Sequence, residues 1–301
     1  MKEKTYDLII IGAGPAGLTA AIYAGRYLLR TLIIGKLPGG KISEVYKICN
    51  FPSYKFISGI ELTKKIIEQV KDLGIEIKSE EVKEIKKNKV FEIRTDNSNY
   101  EAKKILIAVG TEKRKLNVKG EDKFLGNGIS YCATCDASFF KNKIVAVVGG
   151  SNSALTAALL LAEYAKKVYI IYRKGSFFRA EPAWIKQVNE NKKIEIILNA
   201  NVKEIYGKEK PNGIKLDTSQ DLKLDGVFIE IGSVPDEKFS KKLGLKTEKG
   251  YIVVNKKQET SIKGIYAAGD ITNNNLKQVI TACGEGAIAA TSAYEEIKKE
   301  Q

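Results

Sequence analysis

A chain of 301 residues, 44% hydrophobic and 29% charged, exceeds what one hydrophobic core organises and reads as a globular protein of two domains, with no apolar run of the roughly 18 residues a membrane span needs. The formal charge of +14 comes from lysines scattered along the whole chain, which describes a solvated surface that steers anions rather than a nucleic-acid patch. The absence of His removes the usual general acid near neutral pH and the commonest zinc ligand, so any proton donor is another group.

Met1-Lys2-Glu3-Lys4 runs straight into the apolar strand Asp7-Leu8-Ile9-Ile10-Ile11. That leaves no room for the charged, apolar and cleavage regions of a signal peptide and predicts a cytoplasmic protein. Gly12-Ala13-Gly14-Pro15-Ala16-Gly17 follows the strand and opens a small-residue helix, the setting in which a GxGxxG run binds a dinucleotide pyrophosphate. Gly12 permits the tight turn, Gly14 lets the backbone approach the phosphates, and Gly17 lets helix and strand pack closely. The ribose-binding acid expected about 20 residues on is replaced by Ile34-Gly35, which leaves the ribose contacts unassigned. Ile75-Glu76-Ile77, Val90-Phe91-Glu92-Ile93 and Ile105-Leu106-Ile107-Ala108 read as strands, with a polar turn at Asp96-Asn97-Ser98-Asn99. Gly110-Thr111-Glu112-Lys113 closes this part.

Cys132-Ala133-Thr134-Cys135 has the spacing of a reducible disulfide, which can also lower a thiol pKa. The rival is a zinc knuckle, but a tetrahedral site needs a second ligand pair, and the chain has neither His nor a second CxxC. Asp136 follows the pair and is the nearest candidate to exchange a proton with a thiol, with a helix cap as its alternative role. Cys49 and Cys283 are isolated in sequence and read as small packing residues, with a redox role for Cys283 left open.

Strand, Gly-rich turn and small-residue helix then recur. Ile144-Val145-Ala146-Val147-Val148 leads into Gly149-Gly150-Ser151-Asn152-Ser153-Ala154, a fingerprint in which Ser151 holds the middle-glycine position. Such continuous apolar strands imply a parallel sheet with helices on both faces. Tyr172-Arg173-Lys174 ends the next strand, Lys167-Val168-Tyr169-Ile170-Ile171, and Arg179 lies shortly beyond. Cations in place of a carboxylate there favour a ribose 2′-phosphate, and so NADPH over NADH; a basic solvated turn is the alternative. The second unit continues to Phe228-Ile229-Glu230-Ile231-Gly232, and Tyr251 to Ala293 reads as a return to the first. Gly264-Ile265-Tyr266-Ala267-Ala268-Gly269-Asp270 puts an acid at a strand end before a helix from about Gln278.

The expected fold class is therefore α/β, with two Rossmann-like, doubly wound nucleotide-binding domains, the second (114–242) inserted into the first (1–113 and 243–301).

Taken together, Gly12 to Gly17, Cys132-Ala133-Thr134-Cys135-Asp136, Gly149 to Ala154 and Ala268-Gly269-Asp270 with Lys277-Gln278-Val279 resemble the low-molecular-weight thioredoxin reductases over nearly the whole chain. The most specific element is the CATCD run just before the second fingerprint. The resemblance implies a cytoplasmic homodimer with FAD in the first and last segments and NADPH in the inserted domain, passing electrons to a thioredoxin or a thioredoxin-like or glutaredoxin-like protein, with no part for nucleic acid, membrane or metal. It implies that Cys135 faces the flavin, Cys132 attacks the partner's disulfide and Asp136 supplies the proton.

On the same footing, FAD contacts fall on Gly12, Gly14, Pro15, Ala16, Gly17, Gly39, Gly40, Lys41, Asn50, Val82, Gly110, Gly269, Asp270, Lys277, Gln278 and Val279. NADPH contacts fall on Gly149, Ser151, Asn152, Ser153, Ala154, Arg173, Lys174 and Arg179. The family rotates its two domains, so hinges are expected near Glu112 to Lys115 and Phe239 to Gly244. Three departures stand out: Lys41 where the family commonly has Gln, Ser151 for a glycine, and Tyr172 with Lys174 in the family's His-Arg-Arg run. NADH, ferredoxin or a deazaflavin feeding the same flavin and disulfide is the alternative donor, and a nucleotide-binding module without catalysis is the non-enzymatic alternative.

Overall fold

A computed structural model describes residues 5–300, so the opening Met1 to Lys4 segment lies outside the described residues. The chain begins with strand β1 (Tyr6–Ile11), helix α1 (Pro15–Arg26), β2 (Thr31–Ile34), α2 (Gly59–Asp72) and β3 (Glu76–Lys78). Four strands follow: β4 (Val82–Lys87), β5 (Phe91–Thr95), β6 (Asn99–Ile107) and β7 (Thr111–Lys113). Next come α3 (Glu121–Phe124), β8 (Ile129–Ser130), α4 (Ala133–Asp136), β9 (Ile144–Val148), α5 (Asn152–Tyr164), β10 (Lys167–Tyr172) and α6 (Pro182–Glu190). Six strands continue the chain: β11 (Ile194–Leu198), β12 (Val202–Gly207), β13 (Pro211–Leu216), β14 (Asp221–Lys223), β15 (Gly226–Ile229) and β16 (Ser233–Pro235). Helix α7 (Lys238–Leu243), β17 (Thr247–Glu248), β18 (Tyr251–Ile252), β19 (Ile265–Ala267) and α8 (Val279–Lys299) finish it.

These elements form two compact units. Unit one takes the described residues through Glu112 and from Val234 onward, and unit two takes Lys113–Ser233. The return crossing therefore falls at 233/234 rather than at 243. Phe239 and Leu245 explain the difference, because both are buried in the cluster that contains Ile9 and Ile11 of β1, which commits α7 to unit one. The expected hinge at Phe239 to Gly244 is thus a packed helix.

In unit one the sheet runs β3-β2-β1-β6-β5-β4, with β19 added against β6. Strands β3, β2, β1, β6 and β19 are parallel, while β4 and β5 join antiparallel. Successive side chains of a strand point to opposite faces. Accordingly Leu8 and Ile10 pack under the alanines of α1 and α8, and Ile9 and Ile11 pack under Phe239, Leu245 and Ile252. The second face is thus covered by α7, by Val82, Ile85, Phe91 and Ile93 of β4 and β5, and by the chain around β18 rather than by a full helical layer. An apolar strand requires only an apolar cover, and a short helix with antiparallel strands provides one.

Unit two repeats the arrangement with an all-parallel sheet, β11-β10-β9-β15-β8. Val145 and Val147 of β9 meet Leu155, Ala158 and Leu161 of α5, whereas Ala146 and Val148 meet Ile205, Ile214 and Leu216. Those last three belong to the antiparallel sheet β12-β13-β14, which takes the place of helices on that face.

One buried cation ties the C-terminal helix to the first sheet. Lys104 of β6 is 4% exposed and pairs with Glu296 at 2.8 Å and Glu300 at 2.9 Å, while the Tyr266 hydroxyl donates to Glu296. Burial pushes the Glu296 carboxyl up, but the hydrogen bonds from Lys104 and Tyr266 outweigh it and hold the group below its ordinary value. A depressed carboxylate stabilises the fold above its unfolded pKa and ceases to do so as pH falls through the acid range. Lys104→Met should therefore destabilise the protein by about 2 kcal/mol at neutral pH. Thermal melts should show the gap to wild type shrinking below pH 4.5, the unperturbed value for this carboxyl. A gap independent of pH would show that the ion pair is not its origin.

Candidate functional site

A cavity of about 450 Å³ opens in unit one at the carboxyl ends of β1, β2, β6 and β19, where open α/β sheets hold their ligands. Its floor is the first fingerprint. Gly12 has φ +114°, and a Cβ there would lie 2.2 Å from the Ala108 carbonyl oxygen. A Cβ at Gly17 would lie 2.0 Å from the Gly12 oxygen. Gly17 therefore packs helix to strand and does not line the cavity. Gly14 differs from both, since it N-caps α1 in extended conformation and no atom lies within 4 Å of its Cβ position. The first turn of α1 carries no side-chain cap and no acid, and Pro15 and Ala16 stand at its mouth. Backbone amides without partners and the positive end of the helix dipole make this turn fit for an anion.

The walls come from further along the chain. Gly39 donates its N–H to the Ala13 oxygen at 2.7 Å and supports the lining residues Gly40 and Lys41; the Lys41 amine donates to the Thr111 hydroxyl at 3.2 Å. Gly110 and buried Val82 complete that side. Opposite, the Gly269 N–H donates to the buried Glu285 carboxylate at 2.7 Å, which fixes the turn that places Asp270 in the lining. Burial pushes the Asp270 carboxyl up against the pull of Lys277 and Lys41, and burial likewise pushes the Lys277 amine down against Asp270 and Glu285. Lys277 donates to the Thr272 oxygen and lies 4.7 Å above the Tyr251 ring. Gln278 N-caps α8, Val279 opens it, and both line the cavity. Asn50 is exposed and reaches the site through Gln278, donating to its side-chain oxygen at 2.9 Å. Polar groups thus converge on a largely apolar cleft, as a dinucleotide with a heteroaromatic ring requires.

The missing acid after β2 has a spatial counterpart that the sequence reading did not identify. Glu80, Glu81, Lys36 and Lys238 all line the cavity. Glu81 pairs with Lys36 at 2.5 Å, Lys83 at 2.6 Å and Lys238 at 3.2 Å. The hydrogen bond from Lys36, then those from Lys83 and Lys238, hold its carboxyl at about 2. Glu80 accepts from Thr95 at 2.6 Å and Tyr100 at 3.1 Å. The only signal in the sequence is two adjacent acids before β4, and no local pattern links them to the end of β2.

In unit two, Cys132 and Cys135 form a disulfide across α4 with their Cα atoms 5.4 Å apart. Cys132 caps that turn. Its Sγ accepts the Cys135 N–H at 3.1 Å, and its own N–H donates to the Ser130 hydroxyl at 2.9 Å. Asp136 is half-buried at the end of α4 and makes no side-chain cap to the 3₁₀ turn that follows. Cys49 is an exposed free thiol, and Cys283 is a half-buried one whose thiol is pushed up by burial.

The second fingerprint ends β9. Gly149 has φ +145°, and a Cβ there would meet the Glu230 oxygen at 2.1 Å. Ser151 N-caps α5 at φ −105°. Extended backbone of this kind is open to any residue, so the serine leaves the loop's conformation intact. Its hydroxyl shares a hydrogen bond with Ser153 at 3.0 Å rather than capping the helix, and Ala154 is fully buried behind it. Asn152 bonds to Glu181. Arg173, Lys174 and Arg179 are exposed, and among the described residues none of them pairs with a carboxylate.

The family model for pyridine nucleotide-disulphide oxidoreductases matches residues 6–286. A thioredoxin reductase of Bacillus subtilis is 40% identical over 308 residues, covering 100% of this chain and 97% of that protein. Among solved structures, the thioredoxin reductase of Lactococcus lactis (FR conformation) superposes with a TM-score of 0.94 at 35% identity, covering 98% of this chain and 100% of that one. The thioredoxin reductase of T. acidophilum gives 0.93 at 39% identity, with the same coverage of both chains.

The two glycine environments separate binding from folding. Gly14→Ala should leave the thermal midpoint of the FAD-free protein unchanged, because no atom lies within 4 Å of its Cβ position, and, on the expected placement of the pyrophosphate, weaken FAD retention by roughly tenfold, read by equilibrium dialysis. Gly17→Ala should lower the midpoint whether or not FAD is present.

Proposed function

The chain belongs to the pyridine nucleotide-disulphide oxidoreductases and, within them, to the thioredoxin reductases; from that premise we propose that it reduces the disulfide of a thioredoxin or a thioredoxin-like or glutaredoxin-like protein, drawing on NADPH through bound FAD. The observation that carries this reading is the Cys132–Cys135 disulfide held between β8 and the second fingerprint. When bound, FAD and a nicotinamide nucleotide supply a relay for two electrons. The residues that would hold FAD are those of the unit-one cavity, with the α1 turn on the pyrophosphate and Lys277, Gln278, Val279 and Asp270 on the polar ring and its ribityl chain.

Two electrons and two protons convert the Cys132–Cys135 bond to two thiols. Cys132 is the nucleophile toward the partner, because its sulfur already accepts the Cys135 N–H and a thiolate is stabilised by the same bond. Its attack on the partner's disulfide forms a mixed disulfide and releases one partner thiolate. Cys135 then attacks Cys132, which reforms the internal bond and frees the second partner thiol. Asp136 has no capping duty that competes with proton exchange and supplies the proton to a departing thiolate.

Arg173, Lys174 and Arg179 provide the charge for a ribose 2′-phosphate and support NADPH over NADH. Homodimerisation is supported by the apolar side chains that unit one exposes, including Leu28, Phe56, Ile60, Leu276 and Ile288; sedimentation of the holoprotein tests it. No helix among the described residues is long and apolar enough to cross a membrane, and a dithiol chemistry of this kind suits the reducing cytoplasm.

Anaerobic titration of the holoprotein tests the donor. NADPH should bleach the flavin bands faster than NADH, whereas bleaching by reduced ferredoxin or a reduced deazaflavin alone overturns the NADPH assignment. Cys132→Ser and Cys135→Ser should each lower reduction of a thioredoxin by at least roughly a thousandfold while FAD content stays unchanged. Turnover retained in either variant overturns the dithiol mechanism.

A further inference from the structure

The stretch from Arg173 to Ala180 joins β10 to α6 without helix or strand of its own. It is nonetheless pinned to the second fingerprint at three points. Phe177 is buried and stacks on Tyr172 with ring centroids 5.6 Å apart, and the Tyr172 ring in turn fills the space beside Gly150, where a Cβ would come within 2.5 Å of it. Backbone at Arg179 bridges backbone at Ser151. Finally, Asn152 and Glu181 grip each other in both directions: the Asn152 amide donates to the Glu181 carboxylate at 2.8 Å, and the Glu181 N–H donates to the Asn152 side-chain oxygen at 2.7 Å.

Neither partner in that last pair serves its own helix. Asn152 is the first residue of α5, and Glu181 is the N-cap of α6 with no side-chain cap bond. Both polar atoms of the Asn152 side chain are spent on Glu181, so the starts of two helices are tied together, two residues along the chain from the Arg179–Ser151 bridge. The α5 turn, meanwhile, is left uncapped. From these observations we propose that the Asn152–Glu181 pair is a positioning lock that sets Arg179 beside the α5 N-terminus and thereby determines selectivity for a 2′-phosphorylated adenosine. The inference rests on the NADPH reading and adds to it the element that turns a mobile surface cation into a fixed phosphate ligand. A fixed guanidinium loses less rotamer freedom on binding, and only a fixed one offers its bidentate geometry at a defined place.

Calorimetry on the FAD-loaded full chain with 2′,5′-ADP and 5′-AMP tests the lock without turnover, since the two probes differ in the 2′-phosphate. Wild type should prefer 2′,5′-ADP. Glu181→Ala should cut that preference roughly tenfold, about what losing one hydrogen bond to a charged group costs, with affinity for 5′-AMP unchanged. Glu181→Gln keeps both an acceptor for the Asn152 amide and the backbone N–H, and should retain the preference. FAD content and circular dichroism verify that each variant is folded. The lock is overturned if Glu181→Ala keeps the preference, if it weakens both probes equally, as a merely structural role would, or if Glu181→Gln fails as fully as Glu181→Ala. A wild type that does not distinguish the probes overturns the NADPH reading itself, and the lock with it, an outcome separable from the others because it appears before any substitution.

Discussion

How closely a helix can approach the strand before it decides what this molecule can hold. At Gly17 there is no room for a single methyl group, so the N-terminus of α1 is drawn onto the end of β1 and its amides face the cavity. The same economy of side chain extends to α8. A Cβ at Gly286 would lie 2.1 Å from the Ala16 oxygen, and the alanines of both helices fill the interface above Leu8 and Ile10. That contact brings the start of α8, with Lys277 and Gln278, to the cavity rim. Unit two achieves the approach with different residues: Gly149 provides the close contact, and Ala154, with its small side chain buried, stands where the first fingerprint has its third glycine.

The parts of the fold legible in the sequence are those whose environment is uniform. Strands β1 and β9 are buried on both faces and read as unbroken apolar runs, and the first glycine after each, Gly12 or Gly149, marks a turn of positive φ in which a Cβ would collide with backbone. The capping residue Gln278 also falls where the pattern places it. The return crossing was misplaced by nine residues because α7 has only six residues, too few for a periodic signal, and the fate of Phe239 and Leu245 depends on a core built from the other end of the chain. The antiparallel cover over β9 escaped for a related reason: an apolar strand states that both faces are covered, not by what. At the site, the fingerprint and CxxC residues were legible because their chemistry depends on local spacing. Glu81, Lys36 and Lys238 were not, because three separate segments meet only in the folded chain.

The surroundings of the two glycine fingerprints also treat charge in opposite ways. Around the unit-one cavity the ionic groups are matched within the protein: Glu81 by three lysines, Glu80 by Thr95 and Tyr100, Asp270 by Lys277 and Lys41. A site neutralised in this way gains little from drawing a charge out of solvent, and its depth and apolar lining favour a group that stays. Beside the second fingerprint, Arg173, Lys174 and Arg179 remain exposed without carboxylate partners among the described residues. Surface cations of this kind raise the encounter rate with an anionic ligand and, being solvated, release it again. On the proposed reading, residence in one unit and exchange in the other are what an electron relay requires, since the group that stores electrons must remain while the one that delivers them must leave. The same strand-turn-helix unit serves both tasks because the difference lies in how its surrounding charges are paired, not in the glycine turn itself.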